Sequence, residues 1–317
     1  MSAQDAVKKL AVLGDYEKVF PTSPYANPCR ELGFEITFSH DPVTEAEAVE
    51  LMREADVVVL VRERVPLPDH VLKQLPRLKA ISQAGTGVSH IDLDAVNQRG
   101  IQVFTSPGLS ISSVAELTIG MMIACSRQFP VHQAHLKEGN WIQTPGFELK
   151  GKRLGLLGFG KIAKEVAKIA SALGMEVTAW RPTGIKGDEN SYGVQVLELD
   201  ELLGTSDVVS VHLRLVPALK GLLNRERLRQ LKQGSIVINT SRGALVNTEA
   251  LVGLLKSGHL RGAGIDTFEE EPLKSNPFAD CPNVVLTPHI GYVTWDVLQR
   301  FADESLKNII TFKDNSI

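Results

Sequence analysis

Short apolar runs alternate along the chain with longer segments of helical periodicity. In the first third, these runs predict strands at residues 10–14, 34–38, 56–62, 78–84 and 101–105. Nearly continuous apolar strands are typical of a parallel sheet that is covered on both faces. Because helical segments separate the strands, the pattern indicates an α/β domain with helices on both sides of its sheet. This domain has no dinucleotide glycine motif between its first strand and its first helix.

Residues 152–181 are predicted to form a strand, a tight glycine turn, a helix and a second strand. In this βαβ unit, Gly158 permits the turn, and Gly160 lets the backbone approach a pyrophosphate at the helix N-terminus. Ala163 takes the third position of the G-x-G-x-x-A fingerprint, where a small side chain allows close packing of the helix on the strand. The predicted buried face of the helix consists of Ile162, Val166, Ile169 and Leu173. The unit predicts a dinucleotide-binding site.

A second domain continues from this unit. The apolar runs predict further strands at residues 207–213, 235–240, 262–267 and 284–287, with helices at 225–232 and 248–257. The last helical segment, about 294–312, is predicted to cross back onto the first domain. We therefore predict an α/β fold of two doubly wound parallel-sheet domains with a cleft between them. A flavodoxin-like substrate domain would comprise residues 1–108 and 293–317, and a Rossmann cofactor domain residues 109–292.

A long apolar helix is predicted at residues 111–129. Apolar residues cover much of its circumference, so we expect it to be buried, either between subunits or between domains. Residues 130–150, which include Trp141, are predicted to form a polar connection. His132 and His135 resemble a metal-binding pair only in spacing, because no third ligand is evident, and an exposed helix face is the better interpretation.

Composition excludes several classes of protein. A net charge of −3 over 317 residues gives no electrostatic basis for binding nucleic acid or an anionic membrane. The three cysteines are far apart and form no C-x-x-C pair, which argues against a disulfide framework and a zinc site. No apolar run approaches the roughly 20 residues of a membrane span, and the apolar core of the N-terminal segment is too short for a signal peptide. We expect a cytoplasmic protein with reduced thiols and no metal.

Three polar clusters follow predicted strands of the second domain. They are Asn239-Thr240-Ser241-Arg242-Gly243, residues 266–272, and Thr287-Pro288-His289-Ile290-Gly291. Together they would deliver an Arg, a carboxylate and a His to one edge of the sheet. A cation polarises a carbonyl group and holds a neighbouring carboxylate. An imidazolium donates a proton, and a carboxylate beside it fixes its orientation and raises its pKa. This set matches the needs of carbonyl reduction.

Six segments carry a resemblance to a known family. In chain order they are AGTGVSHID, VAELTIGMMIA, GKRLGLLGFGKIAKEVA, INTSRGALVN, GIDTFEEEPL and TPHIGY. With them the chain resembles the D-isomer-specific 2-hydroxyacid dehydrogenase family, which includes phosphoglycerate dehydrogenases and glyoxylate/hydroxypyruvate reductases. The resemblance is strong over residues 78–291 and looser before residue 78. It implies an NAD(P)-dependent oxidoreductase that interconverts a small 2-oxo acid and its D-2-hydroxy acid.

The resemblance also implies roles for individual residues. His289 would be the general acid in reduction and the base in oxidation, Glu271 would pair with it, and Arg242 would bind the substrate carboxylate and carbonyl oxygen. The cofactor-binding residues would be Gly158, Gly160, Lys161, Ile162, Arg181, Thr240, Ser241 and Asp266. The substrate-binding residues would be Arg62, Thr86 and Gly87, the last two through N–H groups of their loop.

Several of these side chains have a structural alternative. Arg62 could instead form a surface ion pair with Glu63 or with a neighbouring residue. Glu269 and Glu270 are interpreted as a solvated acidic turn, and His212 is given a structural role beside the cofactor.

One position departs from the NAD-binding pattern. NAD-binding domains have an acidic residue about 20 residues after the glycine turn, where it holds the ribose 2′-OH. Alignment by the strand end places Arg181 there. Because a guanidinium attracts a 2′-phosphate, we predict a preference for NADP(H), with NAD(H) as the alternative if Arg181 merely stacks on adenine. Arg214, at another predicted strand end, is a candidate to assist.

Two other functions stay open from the sequence. The same fold could act on phosphite or another small anion, whereas Glu271 argues against formate, because formate enzymes that resemble this family have Gln there. The chain could also be a nucleotide-sensing protein similar to the transcriptional corepressors of the family. On the resemblance we expect a homodimer through the helix at residues 111–129.

Overall fold

The computed structural model describes residues 8–183 and 192–314. The chain divides into two compact units. Unit 1 comprises Met1–Leu109 and Val293–Ile317, and unit 2 comprises Ser110–Tyr292. Each unit contains one parallel sheet, so the prediction of two parallel α/β sheets is confirmed.

Unit 1 has a five-stranded sheet with the order β2-β1-β3-β4-β5. Its strands are β1 (Lys8–Leu13), β2 (Phe34–Phe38), β3 (Val57–Val61), β4 (Ala80–Ala84) and β5 (Gln102–Thr105). Its helices, numbered in chain order, are α1 (Ala26–Glu31), α2 (Glu45–Met52), α3 (Asp69–Leu72), α4 (Leu93–Gln98) and α11 (Trp295–Asp314). This strand order is that of flavodoxin-like sheets, in which the direction of winding changes between β1 and β3.

The sheet of unit 1 is covered on both faces. Every residue of β3 and β4 is buried, and β3 is accordingly a continuous apolar run, whereas β4 also buries Ser82 and Gln83. Residues of α2, α3 and α4 share one core cluster with Leu60 and Ile81 of these strands. The long helix α11 packs on β4, where the Ser82 hydroxyl donates to the Ser305 carbonyl at 3.0 Å. The C-terminal helix therefore belongs to unit 1.

Unit 2 has a seven-stranded sheet with the order β12-β11-β10-β9-β6-β7-β8. Its strands are β6 (Arg153–Leu157), β7 (Glu176–Trp180), β8 (Gln195–Val196), β9 (Val208–Val211), β10 (Ile236–Asn239), β11 (Gly262–Ile265) and β12 (Val284–Leu286). Its helices are α5 (Ile111–Ser126), α6 (Phe129–Lys137), α7 (Lys161–Ala172), α8 (Leu199–Thr205), α9 (Arg225–Gln230) and α10 (Thr248–Lys256). The winding of this sheet changes direction between β6 and β9, as in dinucleotide-binding sheets.

Alternate residues of the unit 2 strands enter two separate cores. Leu154 and Leu156 of β6 pack with α5 and α7, whereas Leu157 packs with residues of α8, α9 and α10. Gly155 lies on the second face, where a Cβ would be 2.5 Å from a methyl carbon of Leu202. The glycine thus lets α8 lie directly on the strand.

The apolar helix predicted at 111–129 ends at Ser126, and a second helix begins at Phe129. Between these two helices, α5 and α6, Gln128 has a left-handed conformation with φ of 53°. Residues 130–137 of the predicted polar connection therefore belong to α6, which has no buried residue. No Gly marks the break, and Pro130 lies in the first turn of α6, where proline is tolerated.

The helix α5 uses its apolar residues inside unit 2. It packs against α7, β10, β11 and β12, and its core residues include Ala115, Ile119 and Met122. The large apolar side chains that are exposed in this region follow it in the chain. They are Phe129, Leu136, Trp141 and Ile142.

The buried face of α7 differs from the prediction. The helix buries Ala163, Val166, Ala167 and Ala170. Ile162 and Ile169 are partly buried, and Leu173 is 38% exposed. A face chosen by large apolar residues missed the alanines, whose small side chains let α7 pack closely against α5.

None of the helices at 8–183 and 192–314 is long and apolar enough to cross a membrane. Within the same ranges, no group of three or more His, Cys, Asp or Glu side chains is arranged to hold a metal ion. The ring nitrogens of His132 instead lie 3.3 Å from the carbonyl oxygen of Ile142 and 3.2 Å from that of Thr144.

Candidate active site

The glycine turn of unit 2 lies between β6 and α7. Gly158 has φ of 96°, a left-handed conformation that favours glycine, and its N–H donates to the Trp180 carbonyl at 2.8 Å. A Cβ on Gly158 would lie 2.5 Å from the carbonyl oxygen of His212. The glycine is therefore required where the turn approaches the segment that follows β9.

The N-terminus of α7 is open. Among the residues that the structure describes, no side chain caps this helix, and a Cβ on Gly160 would meet no atom within 4 Å. Lys161 and Ile162 form the first turn, whose N–H groups have no acceptor within a helix and attract an anion. The turn also lies where the winding of the sheet reverses, which is where open parallel sheets bind ligands. This geometry fits the pyrophosphate of a dinucleotide.

Arg181 directly follows β7 and lies against the glycine turn. Its Nη2 donates to the Phe159 carbonyl at 2.8 Å, and its guanidinium carbon lies 5.5 Å from the centroid of the Phe159 ring. Leu157 of β6 pairs with Trp180 of β7, so the two strands end at the same level. A cation is thus held at the strand end where NAD-binding domains have an acidic residue.

Asn239 shapes the loop after β10. Its buried side chain accepts a hydrogen bond from the Ser241 N–H at 3.0 Å and donates to the Arg242 carbonyl at 2.9 Å. The Ser241 hydroxyl donates to the Leu213 carbonyl, and the Thr240 hydroxyl bonds with a hydroxyl of α5 at 2.9 Å. Both hydroxyls, which were predicted to line the cofactor, therefore hydrogen-bond within unit 2.

The loop that carries Arg242 packs against the loop that carries Glu271. Arg242 is exposed, and its Nη1 donates to the Ser241 carbonyl at 2.7 Å. A Cβ on Gly243 would lie 2.0 Å from the carbonyl carbon of Phe268, so only glycine allows this contact. The charge of Arg242 consequently acts on the carboxylate of Glu271.

Asp266 holds the loop that carries His289. Its buried carboxylate accepts from the Thr287 hydroxyl at 2.5 Å, the Ile290 N–H at 2.7 Å and the Gly291 N–H at 3.0 Å. Its carbonyl oxygen accepts from the His289 N–H at 2.8 Å. His289 has φ of 55°, a left-handed conformation that costs a non-glycine residue about 1 kcal/mol and persists where the surrounding bonds fix it. Asp266 thereby determines where His289 lies.

His289 and Glu271 form a hydrogen-bonded pair, in which Nδ1 lies 2.7 Å from Oε2. Partial burial raises the pKa of Glu271, but hydrogen bonds from His289 and the Phe268 N–H, together with the charges of His289 and Arg242, outweigh it and hold this pKa below its ordinary value. Glu271 is therefore an ionised acceptor for Nδ1. Within the described parts of the chain Nε2 makes no hydrogen bond, so it is the nitrogen that can exchange a proton with a ligand.

These side chains share one edge of the sheet. Arg242, Glu271 and His289 follow the carboxyl ends of β10, β11 and β12, which are neighbours, and the glycine turn follows β6 at the same edge. The structure thus brings the three predicted catalytic residues together in unit 2.

In unit 1, side chains that follow β3 fill the space beside the loop after β4. Arg62 is buried, with φ of 60°, and a Cβ on Gly85 would lie 2.1 Å from its Nη1. A Cβ on Gly87 would lie 1.6 Å from Oε1 of Glu63, while Thr86 between the two glycines is exposed. Arg62 Nη2 and Glu63 Oε2 lie 3.5 Å apart. The predicted substrate-binding residues therefore lie together, and the ion pair offered as an alternative for Arg62 is present as well.

Sequence reasoning missed the positioning residues. In the sequence, only a weak signal indicates the roles of Asn239 and Asp266: each is a polar residue directly at the end of an apolar strand. Glu269, interpreted as solvated, accepts from the Thr248 hydroxyl at 2.8 Å and so contacts the start of α10. Glu270 forms an exposed ion pair with Lys274, as expected for a surface turn.

Comparison with known proteins gives one family throughout. A family model described as "D-isomer specific 2-hydroxyacid dehydrogenase, NAD binding domain" matches residues 119–291. The hydroxypyruvate reductase of Thermotoga maritima is 38% identical over 288 residues, which cover 89% of this chain and 92% of that relative. The D-3-phosphoglycerate dehydrogenase of Methanocaldococcus jannaschii is 39% identical over 255 residues, which cover 80% of this chain. The matched region is 48% of the length of that relative, so this chain spans about half of that protein.

Solved structures show the same likeness over nearly the whole chain. The TT0316 protein from Thermus thermophilus has a TM-score of 0.86 at 34% identity, covering 97% of both chains. The D-lactate dehydrogenase from Aquifex aeolicus, solved with NAD and lactic acid, has a TM-score of 0.81 at 30% identity, covering 97% of this chain and 96% of that one.

Proposed function

Because the chain belongs to the D-isomer specific 2-hydroxyacid dehydrogenase family, we propose that it is a nicotinamide-dependent oxidoreductase that interconverts small 2-oxo acids and D-2-hydroxy acids. The observation that carries the proposal is the 2.7 Å contact of His289 with Glu271 under the influence of the Arg242 charge. A His paired with an ionised carboxylate and a nearby Arg are the groups that protonation of a carbonyl oxygen requires.

The residues of unit 2 fit a nicotinamide dinucleotide. The N–H groups of Lys161 and Ile162 would hold the pyrophosphate, since Gly160 leaves the N-terminus of α7 open. The loop at 240–241 and Asp266 are proposed to line the nicotinamide side. When bound, the nicotinamide supplies the hydride in reduction and accepts it in oxidation.

Arg242 is proposed to bind the substrate. Its guanidinium is exposed, and a single donor, Nη1, is used by the Ser241 carbonyl among the bonds described for it. A guanidinium pairs with a carboxylate through two parallel hydrogen bonds and stabilises negative charge that develops on a carbonyl oxygen. In unit 1, Arg62 and the N–H groups of Thr86 and Gly87 are proposed to bind the substrate carboxylate.

His289 is proposed to transfer the proton. Glu271 fixes the ring through Nδ1, so Nε2 gives its proton to the carbonyl oxygen in reduction and takes one from the hydroxyl group in oxidation. Asp266 keeps the backbone of His289 in the conformation that makes this contact.

A substrate panel tests the proposal. NADPH and NADH oxidation would be measured with glyoxylate, hydroxypyruvate, pyruvate and bulkier 2-oxo acids. We expect turnover of at least one acid, and we expect His289→Ala and Arg242→Ala each to lower kcat/KM by about 10³-fold or more with cofactor binding largely intact. Near-wild-type activity of either variant refutes the assignment. Cofactor binding without oxidation by any acid favours a nucleotide-sensing protein, and turnover of phosphite alone moves the substrate to inorganic anions.

A preference for NADP(H) is proposed from Arg181. Its position beside the Phe159 carbonyl supports a site for the 2′-phosphate, with NAD(H) as the weaker cofactor. We expect kcat/KM for NADPH to exceed that for NADH by about tenfold, and Arg181→Asp to reverse the order. Arg229→Asp, an exposed change on α9, is the charge-matched control. A wild-type preference for NADH contradicts the proposal.

A homodimer is proposed, but with a different contact surface from the one expected. The apolar residues of α5 pack inside unit 2, whereas Phe129, Leu136, Trp141 and Ile142 are exposed. Exposed large apolar side chains that are close in the chain are candidates for an interaction site. Light scattering should show a dimer, and Leu136→Glu with Trp141→Glu should give a monomer; a monomeric wild type contradicts the proposal. Cytoplasmic location stays a prediction.

A further inference from the structure

The segment after β3 places two opposite charges against the loop at residues 85–87. The guanidinium of Arg62 fills the space beside Gly85, and the carboxylate of Glu63 fills the space beside Gly87. The two charged groups lie 3.5 Å apart. The carboxylate of Glu63 and the guanidinium of Arg62 therefore both lie against the loop whose N–H groups are proposed to bind the substrate carboxylate.

Backbone hydrogen bonds hold these two segments side by side. The N–H of Leu67 donates to the His90 carbonyl at 2.8 Å, and the N–H of Asp92 donates to the Leu67 carbonyl at 3.0 Å. Arg62 also lies over the ring of Phe301, with its guanidinium carbon 5.8 Å from the ring centroid. The position of the charge pair is thus determined by unit 1 itself.

The charges of this cluster sum to about zero. Burial lowers the pKa of His90, against an opposing effect of Glu63 and with a further lowering by Arg62, so His90 is neutral at pH 7. Its two ring nitrogens are buried and have no hydrogen-bond partner within the described residues. Arg64 is engaged by Glu17 through contacts of 2.6 and 2.8 Å. Arg62 is therefore the cation that balances Glu63.

We propose that Glu63 selects substrates by charge, admitting 2-oxo acids with one anionic group and disfavouring those with a second carboxylate or a phosphate. This inference rests on the proposed function, in which the loop and Arg62 bind the substrate carboxylate. One carboxylate is matched by the loop N–H groups and the guanidinium. A second anionic group meets the carboxylate of Glu63, and like charges repel strongly at a partly buried site. A neutral hydroxyl group instead donates a hydrogen bond to Glu63.

Two substrate sets test the inference. Glyoxylate, pyruvate and hydroxypyruvate have one anionic group, whereas oxaloacetate, 2-oxoglutarate and 3-phosphohydroxypyruvate have a second one. The wild type should have a kcat/KM for the best acid of the first set at least about tenfold above that of the best acid of the second set. Glu63→Gln, which keeps the shape and removes the charge, should raise the second set relative to the first by about tenfold, mainly through KM.

Glu17→Gln is the matched control, because it removes the carboxylate that engages Arg64 and leaves Arg62 and the loop unchanged. It should not alter the ratio between the sets. Turnover with an unchanged ratio in Glu63→Gln overturns the inference and leaves the proposed function standing. Equal efficiency of the wild type on both sets overturns it without any variant. If the wild type reduces no 2-oxo acid, the proposed function itself has failed.

Discussion

In each unit, a buried strand is followed directly by the sequence Gly-x-Gly, yet the two glycine loops have different surroundings. In unit 2, Gly158 is pressed against backbone of the same unit, and Gly160 opens onto free space at the N-terminus of a long helix. In unit 1, Gly85 and Gly87 are both covered by charged side chains, and the next helix begins only at Leu93. The two loops therefore have the same glycine spacing but present different surfaces.

The difference shows what a glycine motif does and does not specify. A glycine followed at once by a helix leaves N–H groups and a helix dipole for an anion. Glycines without a helix behind them make room for other side chains, here a guanidinium and a carboxylate. The proposed roles follow this difference, with the first loop assigned to the cofactor and the second to the substrate.

The largest expected effect is a difference in stability between variants at the two glycines of the unit 2 loop. Gly158→Ala should destabilise the protein by about 3 kcal/mol, because its φ is 96° and a Cβ would lie 2.5 Å from a backbone oxygen. Gly160→Ala, the matched control, should change stability by less than about 1 kcal/mol and weaken cofactor binding instead. Urea unfolding and a fluorescence titration with NADPH measure the two effects. Equal stability of the two variants would contradict this account of the turn.

The second effect uses the buried histidine beside the unit 2 loop. Burial lowers the pKa of His212 to about 4, and its Nε2 bonds with the buried hydroxyl of Ser210 at 2.9 Å. Since the pKa in the unfolded chain is about 6.5, the unfolded state takes up the proton first as the pH falls. The stabilising contribution is therefore complete above pH 6.5 and is lost as the pH falls towards 4.

Between pH 8 and pH 5, the free energy of unfolding of the wild type should fall by on the order of 2 kcal/mol more than that of His212→Asn. Thermal unfolding across this range measures the difference. His70→Asn, at an exposed histidine of unit 1, serves as the control and should follow the wild-type profile closely. Identical pH profiles for wild type and His212→Asn would show that folding does not lower the pKa of the His212 ring.

The smallest effect tests the covered loop of unit 1. Gly87→Ala should cost about 1 kcal/mol, because the new Cβ displaces the end of the flexible Glu63 side chain rather than backbone. Adding Glu63→Ala should remove most of that cost, since the obstructing carboxylate is gone. A double-mutant cycle by urea unfolding measures the coupling, and strictly additive costs would mean that the two residues do not meet.

Much of this molecule could be predicted from its sequence, where local pattern and structure agree. The buried strands are largely apolar runs, so their existence was predicted correctly and their ends closely. The break between α5 and α6 was not, because a left-handed Gln128 has no sequence signal comparable to glycine. The buried face of α7 was misjudged because alanines contribute little to a hydrophobic pattern, although their small side chains allow close packing.

The candidate site likewise has features that could be predicted from the sequence and features that could not. His289, Glu271 and Arg242 each follow a strand of one parallel sheet, so their proximity follows from topology. The contacts of Glu63 with Gly87 and of Asp266 with the His289 loop depend on where two separate segments meet in space. Such contacts have no periodicity and no local motif, which is why they became visible only in the folded protein.

The left-handed backbone of His289 restricts how the site can be engineered. Asn tolerates this conformation better than most residues, whereas β-branched side chains do not. His289→Asn should therefore keep the loop in place and remove the proton donor, while His289→Val should distort the loop as well. An inactive protein that retains its native loop is the form suited to trapping cofactor and 2-oxo acid together for crystallography.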